Sequence, residues 1–123
     1  MDLSTVGNRV ASYVQTNPNT TAYFDVGFWE AGAAQGIRNL GYEPGQMLLA
    51  GFDLVDVVFE EMEKGYVHLT VDQQPYYQGY MSVHQLYLMN KYGLSALDIN
   101  TGKAMIGPDD VAKIRSFKGM SVR

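Results

Sequence analysis

Three stretches of the chain set carboxylates and carboxamides directly after short apolar runs. Asp25 follows 21–24, Asp53 follows 47–52, and Asp72-Gln73-Gln74 follows a run in which Val67, Leu69 and Val71 alternate with His68 and Thr70. A carboxylate accepts hydrogen bonds from two hydroxyls, and a carboxamide both donates and accepts. With an aromatic ring nearby, this is the chemistry that holds a polyol, its hydroxyls paired in plane and its apolar face stacked on a ring. Phe28, Trp29, Tyr76 and Tyr77 are the available rings. Other roles remain open for each residue. An Asp at a strand end also serves as a helix N-cap, Gln74 before Pro75 fits a solvated turn, and Trp29 and the tyrosines fit a core or an interface.

Catalytic chemistry finds little support. The chain has no Gly-x-Ser-x-Gly elbow, no Gly-x-x-x-x-Gly-Lys phosphate loop and no His-Glu-x-x-His. His68 and His84 lie at unrelated spacings and read as surface or partly buried imidazoles. Asp25, Asp53 and Asp72 could be paired acids by count alone, but sequence does not set the separation that a glycosidase needs. The expectation is a non-enzymatic chain without a metal or other cofactor.

The elements that must position these residues alternate. A helix is predicted over 4–16, capped by Ser4 and ended by Asn17-Pro18. A buried strand over 21–24 leads through the turn Asp25-Val26-Gly27 to a helix over 28–40, with Trp29, Ala33, Ile37 and Leu40 on one face and Gly41 as its stop. A fully buried strand over 47–52 and a short helix carrying Leu54, Val57, Val58, Glu61 and Met62 follow, the helix closed by Lys64 and Gly65. The third strand stops at Pro75, whose fixed φ suits a first helical turn. A helix then runs from about Tyr76 to Tyr92 with Tyr76, Tyr80, Val83 and Tyr87 along one stripe. Beyond Leu94 a short extended segment over 103–106 and a brief helix from Pro108 toward Arg115 are expected, and the last eight residues are expected to fray.

The alternation implies parallel strands joined by right-handed crossovers, an α/β fold of the three-layer α/β/α sandwich type. In such sheets small ligands are held at the carboxyl ends of the strands, where Asp25, Asp53 and Asp72-Gln73-Gln74 fall. The whole of 1–123 reads as one lobe, with a core over about 5–93 and a tail and crossover segment over 94–123. Three firm strands make a small sheet for a fold that covers both faces, and an opening helix lacks the strand that should precede it, so the lobe reads as incomplete.

Bulk composition narrows the partners. With 123 residues the chain is long enough for one core. Its 46% hydrophobic and 18% charged residues suit an ordered globular domain. A net charge of −4 and no basic run argue against nucleic acid and anionic membrane surfaces. The absence of cysteine rules out disulfides and thiolate chemistry. No apolar stretch reaches the 18 or so residues of a membrane span, and the N-terminus does not read as a secretory signal. If the natural protein is exported, the expectation is that its beginning lies ahead of Met1.

The chain resembles the C-terminal lobe of the periplasmic sugar-binding proteins of ABC transporters, of the ribose-binding type. The likeness rests on Asn17-Pro18 before Ala22-Tyr23-Phe24, Ala31-Gly32-Ala33-Ala34, Ala50-Gly51-Phe52-Asp53, Gly65-Tyr66 before Thr70-Val71-Asp72-Gln73-Gln74-Pro75, Gln78-Gly79-Tyr80, Lys91-Tyr92-Gly93-Leu94 and Thr101-Gly102, across roughly 5–115. It implies a two-lobed receptor that closes on a monosaccharide-like ligand, favoured by the extra contacts of the closed state, and that docks on a transporter permease. Asp53 would accept sugar hydroxyls, and Gln73, on the hinge side of the cleft, would also bond the ligand. Ribose-specific members carry an Asn near the position of Val26, beside Asp25, and this departure leaves the sugar open. Asp25, Val26 and Trp29 complete the candidate ligand set. A complete lobe would place two more strands and a helix ahead of residue 5. The expectation is therefore an N-terminal lobe or second chain that completes the sheet, a homodimer if the chain is isolated, and a periplasmic location. The effector domain of a LacI-like regulator shares the cleft logic and is the alternative, as is a structural fragment that binds nothing.

Overall fold

The computed structural model describes residues 2–117 and 120. Helix α1 (Leu3–Thr16) is followed by β1 (Ala22–Phe24), α2 (Glu30–Asn39), β2 (Leu48–Phe52), α3 (Asp56–Glu63), β3 (Leu69–Asp72), α4 (Pro75–Tyr92), β4 (Ala104–Ile106), a 3-10 turn (Pro108–Asp110) and α5 (Val111–Ser116). The strands form one sheet in the order β1-β2-β3-β4. The first three are parallel, with Phe24 opposite Ala50 and Ala50 opposite Leu69. The fourth, formed by the short extended segment expected beyond Leu94, runs antiparallel to β3, Thr70 opposite Ile106. The tail joins the lobe through it: Ile106 and Val111 belong to the core.

Right-handed crossovers between neighbouring parallel strands put α2 and α3 on the same face, and α1 packs on α2. That covered face holds Leu49, Gly51, Thr70, Asp72 and Ile106, all buried. The opposite face is bare among the described residues: Phe24 is 73% exposed, Leu48 53% and Met105 67%. Among the described residues the helices α1, α2 and α3 thus cover one face of the sheet, in keeping with a sandwich lobe read as incomplete. For the same reason β1 is not the buried strand expected, and Leu48 is exposed within a β2 expected to be fully buried. The phase of β3 is also the reverse of the sequence reading, because Thr70 and Asp72 are buried whereas Leu69 and Val71 are half-buried. Which side of a strand faces the helices depends on its neighbours' register, and polarity alone misassigned it here.

Local signals otherwise operate as the residues dictate. Asp2, rather than Ser4, caps α1, accepting from the Thr5 amide at 2.7 Å while the Ser4 hydroxyl donates to the same oxygen. Gly93, at φ 66°, ends α4 in the left-handed conformation that suits glycine. Glu61 faces inward, as its position in the helical stripe requires. Both of its oxygens are satisfied, by Arg38 at 2.7 Å and Lys64 at 2.9 Å. Ser116, first of the eight residues expected to fray, is the last of α5, and most of the remainder lies outside the described residues. The tyrosine-bearing helix α4 buries no residue at all, so its stripe is not core. No helix among the described residues is long and apolar enough to cross a membrane.

The tightest packing joins α1 to α2 through three glycines. A methyl on Gly7 would stand 2.7 Å from the Gly32 carbonyl, one on Gly32 2.5 Å from the Leu3 carbonyl, and one on Gly36 would overlap the Gly7 carbonyl outright. Backbone meets backbone there, so neither side can yield cheaply. Gly79 in α4 has nothing within 4 Å of such a methyl. Gly36→Ala should therefore destabilise the protein by about 1–3 kcal/mol despite alanine's better helix propensity. Gly79→Ala should stabilise it by up to about 1 kcal/mol. Urea unfolding of the two variants checks both signs, and equal effects would contradict the packing described.

Candidate functional site

Because β1, β2 and β3 are parallel, their carboxyl ends share one edge, and the loops that leave them are laced together. The Asp25 amide donates to Ala50, the Phe52 amide to Gly27 and the Asp53 amide to Val71, at 2.7–3.1 Å. Asp53 takes a positive φ of 79° and Gln74 one of 55°; among the described residues only these two non-glycine residues do so. Such conformations cost about 1–3 kcal/mol and persist where surroundings over-determine them, commonly at ligand sites. The surroundings are visible here. The Thr70 hydroxyl, fully buried on β3, donates to the Asp53 carbonyl at 2.9 Å, and Gln73 Nε2 donates to Asp53 Oδ1 at 2.6 Å. Gln74 Nε2 donates to the Thr101 carbonyl at 2.7 Å, and Gln78 Nε2 reaches both the Gln73 carbonyl and Thr101 Oγ1. Gln74 is thus a brace between the β3–α4 junction and the segment before β4, not the solvated turn residue that the sequence admits.

Asp53 and Gln73 are brought together at a shallow cavity of about 270 Å³ that Phe28, Leu54, Val55, Asp72 and Pro75 also line. Pockets that enclose a ligand run to roughly 300–1,000 Å³, and this one falls just below that range. An ionised carboxylate offers about four acceptor positions, of which Gln73 takes one on Asp53. Asp72 is 2% exposed and turns its carboxylate onto its own loop, accepting from the Gln74 amide at 2.9 Å. Phe28 stacks on Trp29 with ring centroids 4.6 Å apart. Phe28 faces the cavity, and Trp29 lines a separate groove of about 440 Å³ between α1 and β1, together with Val6, Val10, Val14 and Met47.

Asp25 sits at the end of β1, half-buried, with Oδ1 accepting from the Gly27 amide at 2.9 Å. It therefore shapes the β1–α2 turn in the manner of a cap as well as bordering the site. Burial pushes its carboxyl above the ordinary range, against the Gly27 amide, the Tyr23 hydroxyl and the Trp29 amide, while the charge of Asp53 adds to the rise. Burial and the charge of Asp25 push the Tyr23 hydroxyl up to about 12. Val26 stands 89% exposed beside Asp25. His68 accepts from the Leu49 amide, and His84 stacks on Tyr80 in α4, away from the site. No cluster of three metal-ligating side chains occurs among the described residues. Two site residues escaped the sequence reading. Thr70 looked outward by alternation, and Glu30, a lone acid ahead of Ala31-Gly32-Ala33-Ala34, is buried completely. Its one sequence signal was a charge inside an otherwise small and apolar helical run.

Thr70→Val keeps shape and removes the donor that holds the Asp53 carbonyl. It should cost about 1–3 kcal/mol in urea unfolding and speed hydrogen exchange at the 53–55 amides. Unaltered stability and exchange would show that the bond does not hold the turn.

A family model, described as a periplasmic binding protein domain, matches residues 2–93. Among characterised proteins, the chain is similar to the xylose/arabinose-binding protein XylF of Sulfolobus acidocaldarius, at 31% identity over 109 residues. That match takes in 80% of this chain and 26% of XylF, so the chain spans about a quarter of the relative's length. Its fold is that of GanP, a glucose-galactose binding protein from Geobacillus stearothermophilus, with a TM-score of 0.78 at 19% identity over 89% of this chain and 39% of that one. A carbohydrate transporter protein from Acidothermus cellulolyticus, solved in complex with myo-inositol, aligns with a TM-score of 0.78 at 25% identity over 99% of this chain and 43% of its own. The chain belongs to the periplasmic binding protein domain family.

Proposed function

We propose that the chain forms one wall of a solute-binding receptor that captures a monosaccharide or similar polyol for ABC-type import and performs no chemistry on it. The observation that carries this reading is the Asp53–Gln73 pair, hydrogen-bonded at 2.6 Å where two parallel strands end beside the ring of Phe28. Asp53 would accept sugar hydroxyls in plane, and Gln73 would orient it and add a bond of its own. Asp25, Val26 and Trp29 complete the proposed contact set, with Phe28 as the nearer stacking face. Pentoses, hexoses and inositol, the ligands in the names of XylF, GanP and the Acidothermus protein, all present ring hydroxyls that this pair would bond.

A periplasmic or other extracytoplasmic location, and docking on a transporter permease, follow from that role. Three surfaces left bare among the described residues support a completing partner: the sheet face around Phe24 and Leu48, the outer edge of β1, and the unburied stripe of α4. An unpaired strand edge next to apolar side chains invites another strand. The partner we infer is the remainder of a two-lobed receptor, supplied by the same polypeptide or by a second chain, with a homodimer as the form of the isolated chain. Solved relatives whose chains this one covers by only 39–43% agree with a partner of that size.

In the two-lobed receptor, Asp53→Ala and Gln73→Ala should each weaken sugar binding about tenfold or more by calorimetry, the loss of about 1.5–3 kcal/mol expected for a charge-assisted bond. Unchanged affinity in both variants would overturn the site. Native mass spectrometry of the purified chain should show a dimer or a complex with a second polypeptide. A lone species of about 13.7 kDa would contradict the completing partner.

A further inference from the structure

Glu30 opens α2 and is entirely shielded from solvent, yet neither of its carboxylate oxygens has a hydrogen-bond partner. Asp25 Oδ2 is buried and unpartnered as well. The two carboxyl groups converge on the bare Cα of Gly51 in β2. A methyl placed on that glycine would stand 2.5 Å from Glu30 Oε2 and 2.7 Å from Asp25 Oδ1. The groups that face Glu30 are Asp25 and Tyr23 from β1, Asp53 from the end of β2 and the Thr70 hydroxyl from β3, and none is a cation. Neither acid forms an ion pair among the described residues. The Thr70 and Tyr23 hydroxyls offset this only in part: three buried acceptor oxygens without a well-formed protein hydrogen bond, on two acids with no counter-charge, form an arrangement that two carboxylates cannot sustain. One proton supplies both the missing donor and the missing neutralisation.

We propose that Glu30 is a positioning residue for Asp25: the protonated Glu30 carboxyl donates to Asp25 Oδ2, so that the buried pair carries one negative charge instead of two. Asp25 is then held from two sides, by the Gly27 amide on Oδ1 and by Glu30 on Oδ2, at the strand edge next to Asp53. Burial, followed by the charge of Asp25, pushes the Glu30 carboxyl up from 4.5 to about 8, in keeping with a proton retained at neutral pH. That Asp25 serves a ligand rests on the solute-binding reading; the shared proton does not.

The sign of the pH effect follows. Glu30 binds its proton more tightly folded than unfolded, so its contribution to stability is full at and below about pH 4.5 and is lost as pH rises toward 8. Carboxyl carbon NMR of the purified protein across this range should show one Glu signal, removed in Glu30→Gln, with a midpoint near 8. Asp25→Asn should bring that midpoint down. In wild type the Tm should drop by about 5 °C or more between pH 5 and pH 8. Glu30→Gln, whose amide still donates to Asp25, should lose most of that drop. A Glu30 signal titrating at its ordinary value, or equal pH slopes in wild type and Glu30→Gln, would overturn the proposal. So would a rise in Tm on adding sodium or calcium that Glu30→Gln abolishes, since a cation would then occupy the proton's place. None of these readouts involves sugar, so their failure would leave the test of Asp53 and Gln73 standing, and the reverse.

Discussion

The hydroxyl of Thr70 reaches across from β3 to the carbonyl of Asp53, and it holds the backbone turn around which the other bonds of the strand-end edge are arranged. It fixes a residue in a left-handed conformation at the mouth of a parallel sheet, where the chain must turn away into α3. With the backbone held, the Asp53 side chain meets Gln73 from the next strand end, and the loop after β1 is tied to β2 through the Asp25 amide on Ala50 and the Phe52 amide on Gly27. Asp53 is then not a mobile loop carboxylate. It is one of a set of hydrogen-bonded polar groups, and in the proposed receptor such preorganisation would let binding energy go to contacts rather than to ordering.

What holds the lobe behind this edge is a different kind of contact. The α1–α2 pair is joined by backbone through Gly7, Gly32 and Gly36, and α2 is buried along nearly its whole length. A rigid helical layer thus backs only one face of the sheet. The other face, the edge of β1 and the whole of α4 carry the apolar character of an interior without being inside anything among the described residues. In the proposed receptor the polar edge would be half of a ligand cleft, and the bare surfaces half of a larger interior.

Much of this was legible in the sequence. The turn at Asp25-Val26-Gly27, the stop at Pro75 and the glycine at position 93 are local signals, and local chemistry decided them. The meeting of Asp53 and Gln73 follows from parallel strands ending on one edge. What could not be read depends on contacts distant in the chain. Thr70 follows the alternation of an outward residue and is inward because its acceptor lies 17 residues upstream. Glu30 reads as an ordinary first-turn acid until the strands it faces are assembled. The antiparallel β4 lacked any signal of direction, since a three-residue strand after a long crossover can enter the sheet either way. The periodic stripe of α4 was read correctly as a helix face, but periodicity cannot say what the face packs on.

The measurement that tests the account most directly is amide chemical-shift mapping of the protein with a panel of monosaccharides and inositol. The account predicts saturable shifts at Gly27, Phe28, Asp53 and Gln73, with Tyr13 and Thr20 in the groove beside α1 left unchanged. Shifts centred on that groove with Asp53 and Gln73 silent, or no saturable shift with any of the sugars, would contradict the assignment of the strand-end edge as the site of capture.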